Sequence, residues 1–189
     1  MVTTVKTVAF QGIEAVLIDV QVQIAPGLPK FLIVGLPDKA VKEAGERVRA
    51  ALVASGLSLP PKRITINLAP ADLPKEGSHY DLPMALGLMG AIGAVPPDAF
   101  VGYLALGELG LDGRLAPVSG TLPAAIAAHT HELGIICPEA SGPEAAWAGE
   151  DIDIIATPSL LALVNHLAGH QLSPRPVARR RTNLGVLPD

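Results

Sequence analysis

The chain opens on alternation. Val5–Phe10 and Ala15–Ile24 carry apolar and β-branched residues at alternate positions or in short runs, with Gly12 between them, and predict a β-hairpin. Phe31–Val34 predicts a third strand, closed by Gly35, Leu36 and Pro37. The period then changes. Ala40, Val41, Ala44, Val48, Ala51 and Leu52 recur at helical spacing, with Lys39, Lys42, Glu43, Glu46, Arg47 and Arg49 mostly on the other face. Asp38 is placed to cap that helix, and Ser55-Gly56 to end it. Alternation returns in Arg63–Leu68, a strand. An apolar, almost uncharged helix is expected from Leu82 to Gly93.

The second half repeats the theme. Tyr103–Leu109 and Arg114–Val118 flank Asp112-Gly113, a strong turn signal, and predict a second hairpin. A helix over Thr121–Leu133 follows, with Pro123 in its first turn. The remaining elements are a strand Ile135–Cys137, a short helix Gly142–Ala148, a strand Ile152–Ala156, and a helix Ser159–Ala168 capped by Ser159. This order predicts an α/β (α+β) fold, an open mixed sheet with helices packed on it. Residues 1–170 form the expected domain. From Gln171 the segment QLSPRPVARRRTNLGVLPD loses periodicity and gains three prolines and four arginines. It reads as a basic linker over 171–189, either a solvated tether or a strip that touches phosphate or an acidic surface.

Composition narrows the function classes. Aromatics are 3% of the chain, so Ala, Val, Leu and Ile must fill the core. A net charge of −4 gives no global attraction to nucleic acid or anionic membrane. A single cysteine, Cys137, rules out a disulfide framework within the chain and fits a reducing cytoplasm. The start lacks the apolar core of a signal peptide, and the run Leu82–Pro97 is too short and too broken by proline and glycine to span a bilayer; a cytoplasmic protein is expected. No G-x-x-x-x-G-K-[ST] and no G-x-G-x-x-G after a strand are present, so no nucleotide-phosphate loop is expected. His166 and His170 share a helix face, but no carboxylate or cysteine is near them in sequence, and no metal site is expected.

The densest chemistry lies in LPKEGSHYDLPMALG, residues 73–87. Lys75, Glu76, Ser78, His79 and Asp81 are the candidate contact residues. Asp81 is placed to cap the following helix, worth about 1 kcal/mol. Gly77 permits a bend. Lys75, Glu76 and His79 form either an exposed solvated loop or a contact surface for DNA, a neighbouring subunit or a following domain. Lys75 near a helix start could hold a phosphate, with Glu76 and Asp81 opposing it. Asn67 and Asp72 are expected to bond loop backbone, Glu108 to pair with Arg114 across the turn or to serve function, and Lys39, Lys42, Arg47, Arg49, Lys62 and Arg63 to form a solvated basic face.

Three segments carry a family resemblance: VGLPDKAVKEAGERVRAAL (34–52), RITINLAPADLPKEGSHYDLPMALG (63–87) and LGELGLDGRLAPVSGTLPAAIAA (106–128), followed by the strand–helix pattern to residue 168. Together they resemble the amino-terminal domain of bacterial magnesium-chelatase-like AAA+ proteins, the ComM/YifB competence family. The resemblance implies a longer parent: this domain, then an AAA+ core that binds ATP and Mg, then a carboxy-terminal domain. It also implies a hexamer that drives DNA branch migration in natural transformation. On that reading the present chain is truncated before the ATPase. It is a non-catalytic accessory domain with no cofactor of its own, contacting the ATPase domain and neighbouring subunits and binding DNA weakly if at all.

At fold level the layout also resembles the Lon protease domain, shared with the second domain of ribosomal protein S-five and the carboxy-terminal domain of the RadA repair protein. In Lon the nucleophile serine follows a P-K-D-G-P stretch. Here Pro74-Lys75-Glu76-Gly77-Ser78-His79 puts His79 at the serine's position and Ser78 one place early. The general-base lysine's position falls on Leu122, whose alkyl chain takes no proton. Two alternatives follow. One is an active Lon-type peptidase using Ser78 with His79 as base, although adjacent turn residues rarely set a ring nitrogen against the neighbouring hydroxyl. The other is a magnesium chelatase subunit of pigment biosynthesis, against which the scarcity of aromatic side chains speaks.

Overall fold

The structure is a computed structural model, and it describes residues 2–169 and 174–178. Among the described residues nine strands and five α-helices follow in order: β1 (Val2–Gln11), β2 (Glu14–Ala25), β3 (Lys30–Val34), α1 (Asp38–Ala54), β4 (Arg63–Ala69), α2 (Asp81–Ala91), β5 (Tyr103–Ala105), β6 (Glu108–Leu109), β7 (Leu115–Ala116), α3 (Thr121–Thr130), β8 (Gly134–Pro138), α4 (Gly142–Ala145), β9 (Ile154–Thr157) and α5 (Leu160–Leu167). Seven strands form one sheet in the order β3-β4-β2-β1-β5-β8-β9, and β6 and β7 form a separate hairpin. The pairs β1–β2 and β2–β4 are antiparallel; the other four are parallel. The expected α/β mixed sheet is what the chain forms.

Alternation divides the sheet into two faces. Val5 and Ala9 of β1, Ala105 of β5, Ile136 of β8 and Ile155 of β9 join one core, together with side chains of α1, α2 and α5. Val8, Leu104, Ile135, Cys137, Ile154 and Ala156 point the other way into a second core under α3 and α4. On β2 and β4 only the first face is deeply buried. Ile18, Val20, Val22, Ile64, Ile66 and Leu68 point into it, while Asp19, Gln21, Gln23, Thr65 and Asn67 point away, half-buried or exposed. Asn67 does not bond loop backbone: its Nδ2 donates to Gln21 Oε1 at 3.0 Å, because the register sets Gln21 opposite Asn67 on that open face.

The helix α2 is buried from Asp81 through Gly90, which accounts for its lack of a polar face. Among the described residues no helix is long and apolar enough to cross a membrane. Ser159 caps α5 by accepting from the Ala162 amide, as its position predicts. Asp38 does not cap α1. It is the first helical residue, behind Pro37, and no side chain caps that helix.

The segment set apart at residue 171 touches the domain where it is described. Arg175 bonds backbone carbonyls between Gly149 and Ile152, and Pro176 lies against Gly142. These five residues are therefore not a free tether.

Candidate functional site

The loop between β4 and α2 begins at a cis Ala69–Pro70 bond and folds inward. Lys75, expected in solvent or on a contact surface, is 2% exposed. Its Nζ donates to the Pro70 and Leu73 carbonyls at 2.5 and 2.9 Å, so the ammonium knits the loop that contains it. Burial lowers its pKa, with the Asp72 charge opposing. Glu76 remains exposed, as expected.

His79 is 4% exposed, which also overturns the solvated reading. Its Nε2 lies 2.7 Å from the Val8 carbonyl, and its ring packs against Phe10 and Tyr80 with centroids 5.1 and 4.0 Å away. A carbonyl only accepts, so Nε2 carries the proton and Nδ1 faces the loop. Gly77 makes room there. Its φ is +106°, and a Cβ on it would lie 2.9 Å from His79 Nδ1.

Desolvation lowers the His79 pKa, with the bond to Val8 opposing. In the unfolded chain the ordinary value of 6.5 returns, so below it the unfolded state binds more protons. This contribution to stability is complete above 6.5 and declines as pH falls through the lowered value. Urea midpoints measured from pH 7.5 to 5 are expected to fall more steeply for the unaltered chain than for His79→Gln, whose amide can still donate to Val8.

Asp81 departs furthest from expectation. It does not cap α2. The helix begins at Asp81, and its leading amides are satisfied by backbone: Asp81 N–H donates to Ser78 O, and Leu82 N–H to Gly107 O at 3.0 Å. The carboxylate, 1% exposed, instead receives Arg47 Nε at 2.6 Å, Arg47 Nη2 at 3.1 Å and the Leu109 amide at 3.1 Å. One carboxylate thus joins α1, α2 and β6. Desolvation pushes its pKa up, while the guanidinium and the Leu109 amide pull it down. Its hydrogen bond raises that of Arg47.

Arg47, expected on a solvated face, is turned inward to the Asp81 carboxylate. Its side chain is 27% exposed. A signal was available: Arg47 lies three residues after Ala44 and four before Ala51, both buried, so it borders the apolar stripe. Glu108 also departs from expectation. Arg114 sits 3.6 Å from Asp112, because the register pairs Glu108 with Ala116, and the Glu108 charge acts on Arg47 and Asp81. Arg49 stays exposed with its guanidinium 4.5 Å above the Phe31 ring.

The Phe10 ring links His79, the neighbour of Ser78 in sequence, to Gly120 at the start of α3. The ring centroids of Phe10 and His79 are 5.1 Å apart, and a Cβ on Gly120 would lie 2.5 Å from the Phe10 ring. Next to Gly120, the Leu122 amide donates to Glu144 Oε2 at 2.8 Å, so a carboxylate occupies this helix start. Lys75 Nζ and His79 Nε2, on either side of Ser78, donate to carbonyls, and among the described residues Ser78 Oγ donates to no basic nitrogen. Burial pushes the Cys137 thiol up to about 12, which leaves it protonated and unreactive. Among the described residues no group of three ligands is placed to hold a metal; His170 of the histidine pair lies outside them.

Comparison with known proteins places this geometry in a family. Residues 20–141 match the family described as subunit ChlI of Mg-chelatase. The chain is 39% identical over 166 residues to competence protein ComM of Haemophilus influenzae, covering 88% of this chain and 32% of that protein. It is 40% identical over 175 residues to the uncharacterized protein YifB of Salmonella typhimurium, covering 93% of this chain and 34% of that one. Over 121 residues it is 49% identical to YifB of Escherichia coli, covering 64% and 24%. The chain thus spans about a third of the length of the first two of these curated relatives.

Proposed function

The chain belongs to the magnesium-chelatase-like family of ComM and YifB, and from that premise we propose that it is the non-catalytic accessory domain of a hexameric AAA+ ATPase that remodels DNA during natural transformation. The observation that carries the non-catalytic part is where the nitrogens go. A serine nucleophile needs a base within hydrogen-bond reach. Lys75 Nζ is spent on Pro70 and Leu73, Leu122 stands where the resemblance to Lon would require a lysine, and His79, held by its Nε2–H on Val8, has an Nδ1 that receives no hydrogen bond from Ser78 Oγ among the described residues. The loop's polar groups serve its own rigidity, and the Arg47–Asp81 pair ties that loop to α1. Such a domain offers a fixed surface, with Glu76 and half-buried Ser78 at its rim, to an ATPase domain or a neighbouring subunit.

The word "competence" in the name of the Haemophilus relative supports the role in transformation. A direct role in holding DNA is weak on this reading. The net charge is −4, and four arginines sit in residues 171–189, so the rest of the chain is more negative still and releases few counterions. ATP and Mg belong to the ATPase domain of the longer protein.

The chain is expected to show no micromolar affinity for ATP and no covalent labelling by a serine-directed fluorophosphonate. Labelling that disappears in Ser78→Ala, measured by intact mass, would establish the Lon-type peptidase instead. Any DNA affinity is expected to vanish when residues 172–189 are removed; affinity that survives the deletion places the contact on the globular part.

A further inference from the structure

Residues 174–178 carry an arrangement that the accessory-domain reading does not use. The Arg175 guanidinium forms a fork over the loop before β9. Nη2 donates to Ile152 O at 3.1 Å and to Gly149 O and Glu150 O at 3.3 Å each, and Nε donates to Ile152 O at 3.4 Å. Nη1 closes back on the Pro176 carbonyl at 3.3 Å, which holds the side chain in this pose. Planar, multiply donating geometry suits arginine; a lysine ammonium is a point charge and could not span these acceptors together.

The neighbouring ring is seated as closely. A Cβ on Gly142 would lie 2.5 Å from Pro176 Cγ and 2.9 Å from the Ala156 methyl, so the ring sits over the junction of α4 and β9 where only a glycine leaves space. Glu139 and Pro143 complete the groove. Prolines at 174 and 176 remove two amides from the five residues, so the segment lies on the domain without pairing into its sheet.

We propose that this groove is a docking surface for the chain's own Pro-Arg-Pro segment, and that the dock holds residues 174–178 on the β8–β9 side of the domain in solution. A charge-assisted fork and a ring in a glycine-lined seat are two separate anchors one residue apart. Prolines also lower the entropy lost on docking. The segment is then a strap on the β8–β9 side of the sheet, in place of a loose linker. This inference concerns residues 174–178 alone, and it stands whether or not the domain is catalytic.

Backbone 15N relaxation on the 189-residue chain tests it. The heteronuclear NOE of Arg175 and Val177 is expected to match that of β8 and β9, and to fall to the values of an unrestrained tail in Arg175→Ala and in Pro176→Gly. Both substitutions alter the docked segment and leave the two cores untouched, so the melting temperature should stay within about a degree. Gly142→Ala, which fills the seat from the other side, is expected to release the segment likewise. Low values for Arg175 and Val177 in the unaltered chain, or values unchanged in both strap variants, would overturn the proposal.

Discussion

Asp81→Ala is expected to destabilise the domain by about 3–5 kcal/mol, because it removes one half of a buried ion pair and leaves the other without compensation. The Arg47 guanidinium loses both hydrogen bonds to its one partner and the Leu109 amide loses its acceptor, so α1, α2 and β6 lose their common tie. Arg47→Ala should be at least as damaging, since it strands a carboxylate that is 1% exposed. The pair Arg47→Met with Asp81→Leu separates charge from shape. Replacing both members by apolar residues of similar size is commonly neutral or stabilising, whereas each single change is costly. Chemical denaturation of the four proteins therefore checks one statement: the double variant should recover most of the loss of either single one. Equal loss in all three would mean that the contact matters for packing and not for charge.

Gly35→Ala is the second large effect. Gly35 turns the chain from β3 into α1 with φ +104°, and a Cβ there would lie 2.4 Å from the Leu68 carbonyl oxygen. That oxygen belongs to the backbone of β4, which is paired on both sides and cannot yield as a flexible side chain would. A non-glycine residue in a left-handed or related conformation costs about 1–3 kcal/mol, and the overlap adds to that. The expected total is at least about 3 kcal/mol, read from the urea midpoint. A loss below about 1 kcal/mol would show that β4 shifts to make room.

The elements were legible where a single period dominated. The first hairpin, the 17-residue helix α1 with its stripe of Ala44, Val48, Ala51 and Leu52, and the serine cap of α5 all followed from spacing and cap chemistry. What misled was the polar loop. Lys75, His79 and Asp81 read as solvated or as a cap because sequence shows residue type and neighbours along the chain, whereas their partners are Pro70 and Leu73 carbonyls, the carbonyl of Val8 and the side chain of Arg47. Val8 lies 71 positions from His79 and Arg47 lies 34 from Asp81. No local pattern encodes such distances. The Arg47 position alone offered a hint, on the border of the apolar stripe.

The open side of β2 and β4 has a consequence for how the sheet keeps its alignment. Ten residue pairs join β1 to β2, a long contact with no covalent stop except its turn. Slipping β2 by one residue would drive Asp19, Gln21 and Gln23 into the apolar interior and carry Ile18, Val20 and Val22 out to water. The polar ladder thus acts as a ratchet: it contributes little cohesion of its own, yet makes every neighbouring alignment far more costly than the native one.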